Sequence, residues 1–549
     1  MVNVKVGAVL AAIGGAISLS LFAGACLQRN VEIPAIVPVP QHVQLQKGCF
    51  RVDPGTSIVV DRVFKATGEM LAAQLRNATG YAIPLRSESE TATTSAIILT
   101  SPSATLGLGA EGYTLEVTPE SVTVRGAAPA GLFYGTQTLL QLFPPQIFTQ
   151  ETVTGQRWTV PCLPITDQPR FAWRGLMLDV SRHFLKPAEV KKLIDAMALH
   201  KLNTFHWHLT DDQGWRVEIK KYPRLTEVGA WRKRIGFNLD PKASSAYGSD
   251  GRYGGYYTQA EVRDIVRYAE ARHIRIVPEI ELPGHSSAAL AAYPQYSCSG
   301  GPYSTEMTES VSAGVYCAGK EETFQFLCDV LSQVMGLFPG EFIHIGGDEV
   351  PRQNWHNCPR CQGRMKEEGL ANEHQLEDYF IRRIETFVHS HGKRLIGWSE
   401  IQNDHLLPET VVMDWIGGGA EAARAGNDVV MTPEDFCYLD FYQSLDRSSE
   451  PAAAGAYLPL AKVYAFEPLP PGLPSEAQAR VLGAQGNLWT EYMSSLAQVE
   501  YMAFPRLCAL AEVLWSPKTS RHWPDFVRRL QVHEQRLDRL GIRYRRGNE

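Results

Sequence analysis

Between positions 174 and 514 short apolar runs alternate with amphipathic stretches, and that alternation limits the fold more than any other feature. Eight runs have strand character: G-L-M-L-D-V (175–180), N-T-F-H-W-H-L (203–209), I-R-I-V-P-E-I (274–280), F-I-H-I-G-G (342–347), R-L-I-G-W (394–398), V-V-M-D-W (411–415), V-V-M-T (429–432) with the nearby C-Y-L-D-F, and V-L-G-A-Q-G-N-L-W (481–489). Stretches of helical period lie between most of them. The stretch 188–199 puts Val190, Leu193, Ile194 and Met197 on one face, and 259–271, 323–336, 375–391 and 502–514 behave alike. Strand, loop and helix in repetition predict an α/β fold, a (β/α)8 TIM barrel over 170–517. A doubly wound open sheet is the alternative, but no G-x-G-x-x-G follows a first strand.

Ahead of the barrel, residues 31–165 read as a small α+β domain. Strands are expected at 57–61, 96–100, 113–117 and 121–126, and helices at 64–77 and 130–142, the first with Met70, Leu71 and Leu75 on one face. The polar, proline-broken stretch 166–173 is a suitable boundary, and 518–549 is expected to be a helical tail packed on the barrel. A length of 549 residues alone allows three or four domains. One barrel absorbs most of that length, so two domains are expected. With 44% hydrophobic and 20% charged residues the chain can bury a large core, and a net charge of -6 argues against a nucleic-acid partner.

Residues 1–26 have the pattern of an export signal: Lys5, then an uncharged run from position 6 to 25, then Ala23-Gly24-Ala25 ahead of Cys26. The small residues resemble a bacterial lipoprotein cleavage box with Cys26 as the lipidated residue, although Ala stands at the first box position instead of the usual Leu. Plain secretion and a single membrane anchor are the alternatives. The expected location is outside the cytoplasm, in the periplasm or on the outer membrane, or secreted. Nine further cysteines remain, an odd count. Cys298 and Cys317 bracket a Gly/Ser/Tyr-rich loop suited to a disulfide. Cys358 and Cys361 form a C-P-R-C pair; a zinc knuckle needs a second pair, so a structural loop disulfide is expected there.

In a TIM barrel, functional groups gather where strands end. Those positions here are polar and aromatic: Asp211-Asp212-Gln213-Gly214-Trp215, Glu281 to His285, Gly346-Gly347-Asp348-Glu349, Trp398, Trp415, Tyr438-Leu439-Asp440 and Trp489-Thr490-Glu491. An Asp-Glu dipeptide is ordinarily a solvated helix cap. Here two glycines precede Asp348-Glu349, and tryptophan walls would raise a carboxyl pKa toward general-acid duty. Acids among tryptophans suggest glycoside hydrolysis, because aromatic faces stack on sugar rings while an acid protonates the leaving oxygen. Neighbouring acids cannot easily straddle a sugar ring. Either a distant carboxylate such as Glu491 is the nucleophile, or a 2-acetamido group on the substrate serves instead.

Four ordered motifs, R-G-L-M-L-D-V-S-R-H-F (174–184), L-N-T-F-H-W-H-L-T-D-D-Q-G-W-R (202–216), E-L-P-G-H (281–285) and H-I-G-G-D-E (344–349), resemble the β-N-acetylhexosaminidases of glycoside hydrolase family 20. The resemblance covers nearly the whole chain after the export signal, with 31–165 similar to the family's non-catalytic domain. It implies an exo-acting, retaining enzyme that removes terminal β-linked GlcNAc or GalNAc through an oxazolinium intermediate. Glu349 would be the acid/base, Asp348 would hold the acetamido N–H, and Tyr438 would donate to the acetamido oxygen. Asp211 and His285 would form a relay supporting Glu349, Asp211 being preferred to Asp212. Arg174 and Glu491 would bind the 3- and 4-hydroxyls and Asp440 a further hydroxyl, with Trp398, Trp415 and Trp489 lining the pocket. Tyr464-Ala465-Phe466 stands where some relatives place a Trp, which leaves the platform for the next sugar open.

No cofactor, metal or nucleic-acid partner is expected; the partners are N-acetylhexosamine-terminated oligosaccharides or glycoconjugates, with a lipid anchor to a membrane if Cys26 is acylated. His206 and His208 face one way along a strand, as metal ligands do, but without a third ligand they read as buried hydrogen-bonded histidines. Two rivals have other signatures. A barrel hydrolase with Glu491 as nucleophile would cleave a nitrophenyl glucoside, and a catalytically silent carbohydrate-binding lipoprotein would have no need of Asp348, Glu349 and Tyr438 together.

Overall fold

The computed structural model describes residues 34–87, 95–101, 107–233, 251–305, 313–403 and 405–547. The expected export signal and Cys26 lie outside them. Eight parallel strands close into a barrel: β1 (Trp173–Asp179), β2 (Thr204–His208), β3 (Arg275–Glu279), β4 (Phe342–His344), β5 (Arg394–Trp398), β6 (Val411–Asp414), β7 (Asp428–Met431) and β8 (Val481–Leu488). Closure comes from β8, which pairs in parallel with both β7 and β1, setting Val481 beside Val429 and Gly483 beside Trp173. Alternation along the strands turns Trp173, Val277, Phe342, Ile396, Val411, Met413 and Val430 into the bore, where they pack as one cluster with Trp398.

The barrel helices follow local signals. Gln259–Glu270 opens on a capping box in which the Thr258 side chain accepts from the Glu261 N–H and the Glu261 carboxylate from the Thr258 N–H. The single helix expected at 502–514 is instead two, Leu496–Ala503 and Arg506–Trp515. Pro505 between them has no N–H to continue the first, and it caps the second.

The N-terminal domain is a seven-stranded sheet ordered His42–Val43, Leu163–Asp167, Tyr113–Val117, Ser121–Gly126, Ala96–Thr100, Ser57–Val60, Leu85–Arg86, with helices Lys65–Thr79 and Pro129–Leu142. Its contact with the barrel is polar and buried. Lys201, just ahead of β2, reaches Asp167 (2.9 Å) and the Tyr113 hydroxyl (2.9 Å), and the Trp515 indole donates to the same aspartate at 2.9 Å. Helix Trp523–Arg539 of the C-terminal tail packs back on both units, Arg529 on Glu512 (2.7 Å) and Arg536 on the Gln141 carbonyl (2.6 Å).

The two expected loop disulfides are not formed; none of the four cysteines is cross-linked. Their loops fold onto one another, so the sulfurs meet as one group: Cys298–Cys361 3.8 Å, Cys317–Cys358 3.8 Å and Cys317–Cys361 3.6 Å.

Candidate active site at the C-terminal rim of the barrel

The loop after β4 carries the acids. Gly346 and Gly347 adopt φ of 68° and 92°, and a Cβ on Gly346 would lie 1.8 Å from Glu281 Oε2, so only glycine lets this loop close over the end of β3. Of six non-glycine residues with positive φ among the described residues, two lie at this rim, Glu349 at φ 46° and His285 at φ 44°. Such backbone strain collects at functional sites.

The strained pair meet. His285 Nε2 lies 3.3 Å from Glu349 Oε2 and 3.6 Å from Asp348 Oδ2, while its Nδ1 faces Asp211 Oδ1 at 3.2 Å and Asp212 Oδ2 at 3.4 Å. Asp211 is held in turn by Arg182 (2.8 Å) and His208 (3.0 Å). Below this row Glu279, fully buried at the end of β3, gathers His206 (3.0 Å), His344 (2.8 Å), the Trp398 indole (2.9 Å) and His208. His206 and His208 are thus both buried on one carboxylate.

These neighbours set the protonation states. Burial pushes the Asp348 carboxyl up to about 7, and the nearby Glu400 and Glu279 carboxylates add to the rise. The hydrogen bond from His285 instead holds the Glu349 carboxyl below its ordinary value. Burial opposes a charge on His285, yet Asp211 and Asp348 raise it well above the usual imidazole range. The sequence reasoning anticipated a raised acid among tryptophans. Of the adjacent pair it is Asp348, 13% exposed, that is raised, and not Glu349 at 45%.

Aromatic rings wall the rim. Trp415 stacks on Tyr438 (6.0 Å, 19°), Tyr438 lies 6.4 Å from Trp489, and Trp489 lies 5.7 Å from Trp398. The Trp415 indole is fixed by Glu400 at 3.0 Å. Tyr438 is placed by a bridge to Asn487 of β8, and burial raises its hydroxyl pKa. Glu491, after β8, faces Arg182 at 3.5 Å, and burial raises the Asp440 carboxyl strongly, with the Glu491 charge adding to it. Asp348 Oδ1 and Asp440 Oδ1 are buried without a hydrogen-bond partner in the protein. Tyr464 donates to Glu512 (2.9 Å) and Phe466 stacks on Phe436 (5.2 Å), both buried.

One expectation fails outright. Arg174 is not in this site: it begins β1, at the opposite end of the barrel, fully buried against Glu111 of the N-terminal domain at 2.8 Å. The arginine at the rim is Arg182, eight residues further along the same motif and past the C-terminal end of β1. It binds Asp179, Asp211 and Glu491 and lies over Trp489 at 5.0 Å. Strand direction was the signal that separates the two. Sequence reasoning also passed over Glu279, His344 and Glu400, which stand at the ends of β3, β4 and β5.

Residues 171–518 match the model of glycosyl hydrolase family 20, catalytic domain, and residues 33–168 that of glycosyl hydrolase family 20, domain 2. A beta-hexosaminidase of Porphyromonas gingivalis is 44% identical over 536 residues, 96% of this chain and 67% of that protein. A beta-N-acetylhexosaminidase of Cellulomonas fimi is 33% identical over 523 residues, 93% of this chain and 95% of that one. Among solved structures, the family 20 beta-N-acetylhexosaminidase of Streptomyces coelicolor superposes with a TM-score of 0.81 at 34% identity, covering 94% of this chain and 98% of its own. A mutant Streptomyces plicatus beta-hexosaminidase in complex with product GlcNAc superposes at 0.80, also 34% identical, over 94% and 97%.

Proposed function

The chain belongs to glycosyl hydrolase family 20 and is a β-N-acetylhexosaminidase, and from that premise we propose that it is exo-acting and retaining, with the substrate's own acetamido group as nucleophile. Terminal β-linked GlcNAc or GalNAc is the sugar removed. Protonated Glu349 gives its proton to the glycosidic oxygen as that bond to the anomeric carbon breaks. The acetamido carbonyl oxygen closes on the anomeric carbon, forming the oxazolinium. Ionised Asp348 accepts the acetamido N–H and balances the growing positive charge, while Tyr438 donates to the acetamido oxygen. Water then loses a proton to Glu349 and opens the ring, giving net retention.

The observation that carries this reading is that one imidazole, His285, touches both adjacent carboxylates. Acid and partner therefore lie on one side of the pocket. Glu491, the other nucleophile to weigh, is paired with Arg182. Asp211 and His285 position Glu349, Arg182 positions Glu491 and Asp211, and Asp440 and Glu491 take the sugar hydroxyls. Proton NMR of the first-formed anomer from a nitrophenyl N-acetyl-β-glucosaminide tests the mechanism: the β anomer is expected, and the α anomer would overturn it.

The same proposal takes residues 1–26 as an export signal with Cys26 lipidated, on the small-residue box ahead of Cys26. Mass spectrometry of the mature N-terminus checks it; an unmodified N-terminus beyond Cys26 would mean plain secretion.

A further inference from the structure

Four cysteines from two loops converge beside the active site, and they follow different barrel strands. Cys298 and Cys317 belong to the excursion after β3 that also bears His285; Cys358 and Cys361 belong to the loop and helix after Asp348-Glu349. A short antiparallel bridge, Ser297 to Tyr316, with the Cys317 N–H on the Tyr296 carbonyl at 2.8 Å, brings the first two together. Cys358 caps helix Pro359–Glu368 and Cys361 sits in its first turn. Gly319 seats one loop on the other. A Cβ there would lie 2.3 Å from the Arg360 carbonyl carbon and 2.6 Å from the Cys361 nitrogen, so only glycine permits the contact.

The sulfur geometry discriminates between fates. All four sulfurs lie within 4.8 Å of one another, with separations of 3.6–3.8 Å where they touch. Zinc with four thiolates at about 2.3 Å in a tetrahedron sets sulfurs about 3.8 Å apart. A disulfide needs about 2.05 Å and one chosen partner for each sulfur. Cys317 instead lies at nearly equal distance from Cys358 and Cys361. Three of the four are buried and Cys298 is half-buried, the enclosure of a structural site with no open position.

We propose that Cys298, Cys317, Cys358 and Cys361 form a tetrathiolate site for a structural Zn2+ ion that ties the His285 loop to the Asp348-Glu349 loop. This departs from the sequence expectation of no metal, because the second cysteine pair a zinc knuckle requires comes from a distant loop. One further contact crosses the same seam, from the Trp355 indole to the Tyr316 carbonyl (2.9 Å), and the Tyr316 N–H in turn donates to the Pro283 carbonyl (3.0 Å) within the His285 excursion. The ion therefore acts on position, and takes no part in the glycosidic chemistry.

The test reads metal, not activity, so it stands apart from the hydrolase reading. Full-length protein purified from zinc-supplemented cells, dialysed against a weak chelator and gel-filtered, is expected to carry one zinc per chain by plasma mass spectrometry. Cys361→Ser should lose it. If that variant does not fold, Co2+ exchanged into the wild-type protein should show thiolate-to-cobalt charge transfer and the absorption of tetrahedral cobalt. Two results would overturn the proposal: zinc at background with no cobalt spectrum, or peptide mapping of the native protein that finds these cysteines joined as disulfides.

Discussion

Arg174 and Arg182 lie on one motif, eight residues apart, and stand at opposite ends of one barrel. Both are buried and both are saturated with acceptors. Arg174 gives Nε to the Lys201 carbonyl (2.8 Å) and a two-pronged grip to Glu111 (2.8 and 3.0 Å). Arg182 gives Nε to Gln213 (2.9 Å) and its fork to Asp179, Asp211 and Glu491. What differs is the company of acids. Glu111 is fully occupied by Arg174 and Asn203, whereas at the rim Asp348 Oδ1 and Asp440 Oδ1 are buried and unbonded. A satisfied polar cluster fastens two domains together; one with acceptors left over can take up donors from a ligand.

The largest break in that symmetry is expected at the acids. Glu349→Gln should lower kcat by roughly 10²–10⁴-fold, the usual value of a general acid, with an unchanged melting temperature. Asp348→Asn removes charge stabilisation in the transition state and should cost about 10²–10³-fold. Steady-state kinetics on a nitrophenyl N-acetylglucosaminide checks both; near-normal rates in both variants would sink the role assignment.

The carboxylate partners of the two arginines then provide a matched pair. Glu491→Gln should reduce kcat/KM by roughly 10–100-fold, the equivalent of one hydrogen bond to a charged group, while urea unfolding stays near wild type. Glu111→Gln should do the reverse, losing about 1–3 kcal/mol of unfolding free energy with kcat/KM intact. An activity loss at Glu111 matching that at Glu491 would erase the distinction between the two ends.

The protonation states sharpen it further. With Asp348 near 7 and Glu349 below its ordinary 4.5, the pair holds one proton between those values. The proposed mechanism needs that proton on Glu349 and Asp348 ionised, the minor of two tautomers of one charge state. Rates should fall as pH rises through about 7, where the shared proton is lost, and fall again in acid, below the ordinary range of Glu349, as a second proton leaves both carboxyls neutral. A kcat/KM profile flat to two units above 7 would contradict this. The smallest change is expected for Trp415→Phe, which keeps an aromatic face against Tyr438 but loses the Glu400 bond; a loss of about fivefold corresponds to one ordinary hydrogen bond.

Much of the framework was legible because its signal is local. The eight strands are short apolar runs, and the rim acids follow them directly, so the loops bearing Asp348, Glu349, Tyr438 and Glu491 could be read without coordinates. Arg174 was misplaced although strand direction already distinguished it from Arg182, because a motif names residues without saying which end of the strand each occupies. Glu279 and His344 were missed for a different reason: buried polar groups at a barrel mouth look like strand interior until their partners from other strands are seen. The four cysteines are the extreme case. Their contacts span 41 to 63 residues, and no spacing rule over one loop reveals them. The raised Asp348 is a matter of depth within the pocket, and sequence carries no depth.

The claim on which the rest depends is that the substrate's acetamido oxygen, and not Glu491, attacks the anomeric carbon. Fluorinating the N-acyl group in steps from acetyl to trifluoroacetyl weakens that oxygen as a nucleophile while leaving the leaving group alone. With the acetamido oxygen as nucleophile, kcat/KM is expected to fall steeply with each fluorine. A series that stays level across all four substrates would place the nucleophile on the protein and contradict it.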